Sequence, residues 1–172
     1  MFLDLTQNTQ HNVYSYLVGG ISPRPIAWVS TLSKEGVANI APYSFFTVAS
    51  CNPPVLSVTQ VNPRDKANKD TLLNLQATNN CVVNIVSEEL VEKMNQSCAN
   101  YPHNVSEFEA ANIETIASTH ATSPGAAAAK VRYECTLRDV IQISDEPGGG
   151  KVMLLNVVGI YIDDNVLVNG YI

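Results

Sequence analysis

The strongest constraint on the fold is a pair of long runs near the C-terminus, separated by a glycine-rich turn. From Lys130 to Ser144 the residues alternate: Val131, Tyr133, Cys135 and Leu137 fall on one side, with Arg132, Glu134 and Arg138 among those on the other. A period of two is the pattern of a strand with one apolar face. Asp145-Glu146-Pro147-Gly148-Gly149-Gly150 then supplies turn residues, and Val152 to Ile162 returns as a second long strand. Consecutive strands joined by a short loop pair antiparallel. The glycine triplet therefore reads as a hairpin loop and not as a phosphate cradle, which needs a strand-to-helix junction. Asp163-Asp164-Asn165 turns the chain once more, into a last short strand from Val166 to Val168.

The upstream chain repeats the theme. Gly19-Gly20 makes an entry turn before Ser22-Pro23-Arg24-Pro25, whose prolines are unfit for a central strand. Ile26 to Thr31 reads as a strand, Ser33-Lys34-Glu35-Gly36 reverses it, and Val37 to Ile40 returns. Ala41-Pro42-Tyr43-Ser44 then reads as a loop, and Tyr43, Phe45 and Phe46 as a short helical turn. After Pro53-Pro54, Val55 to Thr59 alternates as a half-buried strand. A loop rich in Asn, Pro and charge leads to a helix with Asp70 as its N-cap and Leu72, Leu73, Leu75 and Ala77 as its buried stripe. Asn79-Asn80 stops it. Cys81 to Val86 is apolar and β-branched enough for a central strand. Ser87 caps a further helix that runs to about Ser97, with Glu88 and Glu89 at the favourable end of its dipole. Residues 99–129 follow no period, and the four alanines at 126–129 are too few to nucleate a helix unaided. Hairpin-linked strands with a few short helices predict a mainly β fold, an antiparallel barrel or sandwich, in one domain over residues 1–172.

Composition removes several classes of function. The net charge of −6, without a basic run, argues against nucleic-acid binding. No apolar run approaches the roughly 18 residues of a membrane helix, and Met1-Phe2-Leu3-Asp4 does not begin a signal peptide, so a cytoplasmic address is the default. Cys51, Cys81, Cys98 and Cys135 form no Cys-x-x-Cys pair, and His11, His103 and His120 are isolated, so no metal site is suggested. Neither a Gly-x-Ser-x-Gly elbow nor a phosphate-binding glycine motif is present. What remains is a loop rich in hydroxyls, amides and aromatics beside a few cations, which suits a heteroaromatic cofactor that carries the chemistry itself.

Two blocks sharpen this reading. Ser22-Pro23-Arg24-Pro25-Ile26-Ala27-Trp28-Val29-Ser30-Thr31 with Asn39-Ile40-Ala41-Pro42-Tyr43-Ser44-Phe45-Phe46 is the first, and Lys69-Asp70-Thr71 with Leu72-Leu73-Asn74 the second. Together they resemble the signature of the flavin reductase-like family. Cys81-Val82-Val83-Asn84-Ile85-Val86 resembles the family's next strand, and Ser106-Glu107-Phe108-Glu109 a later, looser motif in which Asn112 stands where glycine is common. The resemblance implies an FMN-binding, Greek-key split β-barrel and a homodimer with the flavin near the subunit interface. It also implies an NAD(P)H:flavin oxidoreductase in which hydride passes to flavin N5 without a catalytic side chain. A flavoredoxin-like electron carrier without its own NAD(P)H activity is the first alternative, and a non-flavin binding protein on the same barrel the second.

Carried over residue by residue, the resemblance places Trp28, Val29, Ser30 and Thr31 at the strand end that approaches the flavin. Asn39 and Ala41 lie beside the ring, with main-chain N–H groups toward its pyrimidine edge, and Ser44 is a further contact. Arg64 and Lys69 become the phosphate cations, with Thr71 as their hydroxyl partner. Read without the family, Trp28 is equally a core residue, Ser30 and Thr31 are plain strand termini, and Arg64 and Lys69 are solvated loop charges. The beginning of a helix at Lys69-Asp70-Thr71 favours an anion in any case. Relative to the family pattern, a final segment that returns to the barrel is expected to be absent after Ile172.

Overall fold

A computed structural model describes residues 2–6, 13–62 and 69–172. The long hairpin is its spine. β8 (Val131–Gln142) and β9 (Gly150–Ile162) pair antiparallel from Val131 opposite Ile162 to Gln142 opposite Lys151. On the outer side of β8 lie β5 (Asn80–Ile85), β1 (Ala27–Leu32) and β2 (Ala38–Tyr43), and on the outer side of β9 lie β4 (Pro54–Val61) and β3 (Phe46–Cys51). The order β2-β1-β5-β8-β9-β4-β3 makes one seven-stranded antiparallel sheet. Two short strands, β6 (Thr115–Ile116) and β7 (Gly125–Ala126), pair separately.

That order closes the sheet. β2 and β3 are its two edges, yet only Ser44 and Phe45 separate them in the chain. With two residues between them, the ends of β2 and β3 lie at most roughly 10 Å apart. The sheet must therefore curl until its edges meet there; within the link the Phe45 carbonyl accepts from the Thr59 N–H at 2.8 Å, one rung beyond the β3–β4 pairing. This is the expected split β-barrel.

The interior is filled from alternating positions: Ala27 and Val29 on β1, Leu56 and Val58 on β4, Cys81 and Val83 on β5, Cys135 on β8, and Met153 and Leu155 on β9. Helix α2 (Asp70–Thr78) packs Leu72 and Leu75 into the same core. Burying two leucines contributes about 3–6 kcal/mol toward holding this helix in place. A second core lies on the other face of β1, where Trp28 and Ile40 pack against Leu90, Phe108, Ile113 and Ala126. β1 is thus covered on both faces, which is why its polar residues are as buried as its apolar ones.

Several local expectations change. Pro42 is inside β2, opposite Trp28; proline is tolerated because this is an edge strand. Phe46 starts β3, so no helical turn forms from Tyr43 to Phe46. Gly19 and Gly20 end helix α1 (Val13–Gly20), with the Ile21 N–H bonded to the Leu17 carbonyl. The N-cap of α2 is Lys69 and Asp70 is the first helical residue. Its buried stripe is Thr71, Leu72, Asn74 and Leu75, while Leu73 and Ala77 face solvent. Ser87 precedes a 3-10 turn at Glu88–Leu90 that leads into α3 (Val91–Gln96). The aperiodic segment holds α4 (Glu107–Ala110) besides β6 and β7. Asn112 has φ +49°, the left-handed region that glycine favours and asparagine tolerates. The last strand is replaced by a 3-10 turn at Asp164–Val166 and a single bridge between Val168 and Tyr171. Among the described residues, no helix is long and apolar enough to cross a membrane.

Candidate functional site

The edge of β2 and the first turn of α2 face each other across a cavity of about 430 Å³. Asn39, Ala41, Pro42 and Tyr43 form one wall, Lys69, Asp70 and Thr71 a second, and the turn from Ser97 to Tyr101 a third, with Glu107 between. Its volume falls within the range of small-molecule sites.

A buried polar cluster sets the position of α2 against the barrel. The Thr71 hydroxyl donates to Asn39 Oδ1 at 3.0 Å, and the Thr31 hydroxyl donates to the same oxygen at 3.3 Å. Asn74 Nδ2 donates to Thr31 Oγ1 at 3.2 Å. Thr31, Asn39, Thr71 and Asn74 are all buried, so β1, β2 and the first turn of α2 are fastened by hydrogen bonds shielded from water. Thr71 reaches the cavity with its hydroxyl already committed to Asn39.

Lys69 stands at the mouth of the helix, its ammonium 5.5 Å from the centre of the Tyr43 ring. The earliest amides of a helix have no intrahelical acceptor, so the start of α2 presents donors beside that cation. Burial pushes the Tyr43 phenol far above its ordinary range; its hydroxyl lies next to Thr71 but makes no well-formed hydrogen bond. A buried orphan hydroxyl in a cavity wall is a donor waiting for a ligand or a water. Lys69, the helix start and this hydroxyl are a donor set that fits an anionic group.

Glu107 enters from α4. Its Oε2 accepts from the Ile40 N–H at 3.2 Å, and the Ser106 hydroxyl beside it donates to the Ala38 carbonyl at 2.6 Å. Burial raises the Glu107 carboxyl above the usual carboxylate range, its hydrogen bonds to the Ile40 amide and the Asn39 side chain oppose the rise, and Asp70 adds to it. The Ile40 bond also fixes the phase of the strand. With Ile40 pointing outward, the ladder turns the amides of Asn39 and Ala41 toward β1. The expectation that those two amides face a ring is therefore corrected: they serve the sheet, and Pro42 has no N–H to offer.

The other expected residues are placed as follows. Trp28, Val29, Ser30 and Thr31 have 0% exposure and line no wall of the cavity. Val29 fills the barrel interior. Trp28 Nε1 donates to Ser97 Oγ at 2.9 Å, anchoring the turn that forms the third wall. Ser30 donates to the Pro124 carbonyl at 2.6 Å and accepts from Asn84 at 3.2 Å. Ser44 lines a separate cavity of about 440 Å³ with Pro23, Arg24 and Phe46. Arg64 lies outside the described residues. Asn74 and Glu107 stand in the motifs that carry the family resemblance, but the sequence reading assigns neither a place in the site. The available signal for Asn74 was its position three residues after Thr71, on the leucine-bearing face of α2.

The flavin reductase like domain matches residues 19–171 of the chain. An uncharacterized protein of Aquifex aeolicus is 40% identical over 158 residues, which are 91% of this chain and 81% of the relative. Among solved structures, nitrilotriacetate monooxygenase component B from Bacillus cereus superposes with a TM-score of 0.91 at 34% identity, covering 100% of this chain and 86% of the other. The 2-nitrobenzoate 2-nitroreductase NbaA of Pseudomonas fluorescens superposes with a TM-score of 0.85 at 28% identity, covering 98% and 80%.

Proposed function

Because the chain belongs to the flavin reductase-like family, we propose that it is an oxidoreductase that holds FMN between β2 and α2 and reduces it with NADH or NADPH. The observation that carries this reading is the meeting of Asn39 and Ala41 with Lys69 and Thr71 on one cavity, from segments about thirty residues apart. Bound FMN would accept hydride at N5 and carry the redox chemistry itself, so no side-chain acid or base is required.

The chain's own residues bind and orient. Lys69 and the first turn of α2 take the phosphate, where cation and free amides act together. Ala41, Pro42 and Tyr43 offer apolar atoms on which a planar ring rests. Thr31, Asn39 and Asn74 keep the two walls at a fixed separation, and Trp28 does the same for the Ser97 wall. Similarity to a monooxygenase component and a nitroreductase supports an oxidoreductase in general terms. The homodimer implied by the resemblance belongs to the same reading, with sedimentation as its measure.

The test is direct. Purified protein, titrated with FMN, should show the visible spectrum of bound oxidised flavin and then consume NADH or NADPH. Bound FMN without nicotinamide oxidation would select the electron-carrier alternative, and a protein that takes up no flavin would refute the reading.

A further inference from the structure

An anion site with a carboxylate in its wall needs an explanation. Asp70, the first residue of α2, lines the same cavity as Lys69. A carboxylate there favours the helix dipole but repels a phosphate. Its Oδ1 is 2.9 Å from Nδ1 of His103, which the connection between α3 and α4 brings across the helix start. The Asp70 side chain is 21% exposed and that of His103 54%, so the pair sits at the rim, in contact with both cavity and solvent.

We infer that His103 is a specificity-determining residue for the phosphorylated cofactor: its imidazolium neutralises Asp70, so that the end of α2 accepts a phosphomonoester. This rests on the phosphate reading above and assigns no chemistry to the imidazole beyond charge. Other titratable groups among the described residues also face the pair or its neighbour Lys69. Lys69 adjoins Asp70 in sequence, and Tyr43 from β2 and Glu107 from α4 face it. Glu35 from the β1–β2 turn faces His103, and Cys98 faces Lys69.

The experiment measures dissociation constants for FMN and for riboflavin, which lacks the phosphate, in wild type, His103→Gln, Asp70→Asn and the double variant. The riboflavin-to-FMN ratio is the readout. Glutamine keeps a hydrogen-bond donor for Asp70 but no charge. At pH 6 the ratio should fall about two- to fivefold in His103→Gln, the size of effect a partly exposed charge pair carries. It should return to the wild-type value in the double variant. Unchanged riboflavin binding shows that each variant is folded.

A ratio untouched by His103→Gln, or one that Asp70→Asn does not restore, overturns the inference while leaving the phosphate site standing. A wild-type ratio near one would instead remove the phosphate reading itself, and this inference with it.

Discussion

Replacing Asn39 by alanine tests whether hydrogen bonds fasten α2 to the barrel. Asn39 is 7% exposed, and its Oδ1 is the acceptor for both Thr71 at 3.0 Å and Thr31 at 3.3 Å. Truncation leaves two buried hydroxyls without that acceptor, and a buried unsatisfied polar group costs about 1–3 kcal/mol. The longer Thr31 bond belongs at the low end of that range, and Thr31 keeps its bond from Asn74. The expected loss is therefore about 2–4 kcal/mol, a large fraction of the 5–15 kcal/mol typical of a domain. Urea denaturation should show a lower midpoint with an unchanged m-value. FMN affinity should fall as well, because the start of α2 loses its lateral support. In a Thr71→Val background, Asn39→Ala should cost about 1 kcal/mol less, because one of its two donors is already gone. A loss below about 0.5 kcal/mol, or strict additivity with Thr71→Val, would refute the claim that this cluster holds the helix.

Lys69→Ala should weaken FMN about tenfold or more and leave riboflavin nearly unchanged, since only FMN carries the phosphate; equal losses for the two ligands would place the phosphate elsewhere. Trp28→Phe deletes the donor to Ser97 and leaves a void at a site with no exposure, so it should lower stability by about 1–3 kcal/mol by calorimetry and loosen the Ser97 wall. Glu107 gives a pH dependence with a defined sign. Burial raises its folded-state carboxyl, so the folded chain binds the proton more tightly than the unfolded chain. Its contribution to stability is full below the ordinary carboxylate range and is lost as pH rises through the raised folded value. Glu107→Gln, which retains an acceptor for the Ile40 amide, should flatten that limb of the stability–pH curve; an unaltered slope would show that another group causes it.

The barrel was legible where the physics is local. The alternation in β8 and β9 and the turn residues between them specify the hairpin, and the β-branched run of β5 marks a strand buried on both faces. Pro42 misled because proline excludes only a hydrogen-bonded interior position, and one sequence does not reveal which strand is an edge. Trp28, Ser30 and Thr31 drew attention as site residues because hydroxyls at a strand end usually meet solvent. Here a second layer of α3, α4 and β7 covers the face of Trp28 and Ser30, with contacts from residues 69 and 94 positions away, and α2 covers Thr31 on the opposite face. Glu107, although part of a quoted motif, receives no role from sequence for the same reason: its partner Ile40 is 67 residues distant, and no spacing encodes that meeting. Leu73 and Ala77 entered the buried stripe of α2 because hydrophobicity was counted without the polar pair Thr71 and Asn74, which in fact occupy the inner face.

Ser106 and Glu107, at the start of α4, also explain how an open sheet edge becomes a cavity wall. An unpaired edge strand normally invites another strand. On β2 the outward groups are occupied by side chains: the Ala38 carbonyl by Ser106, the Ile40 amide by Glu107, while position 42 carries no amide because it is proline. With these groups occupied and the proline amide missing, β2 offers few donors to a further strand, and its side chains are left to face α2. The carboxyl that satisfies Ile40 is thereby buried in the cavity wall, where its charge state bears on whatever anion lies beside it. Termination of the sheet and the electrostatics of the site therefore meet in one side chain at position 107. Glu107→Ala should disturb both, exposing the Ile40 amide and altering FMN affinity together, whereas Glu107→Gln should alter only the second.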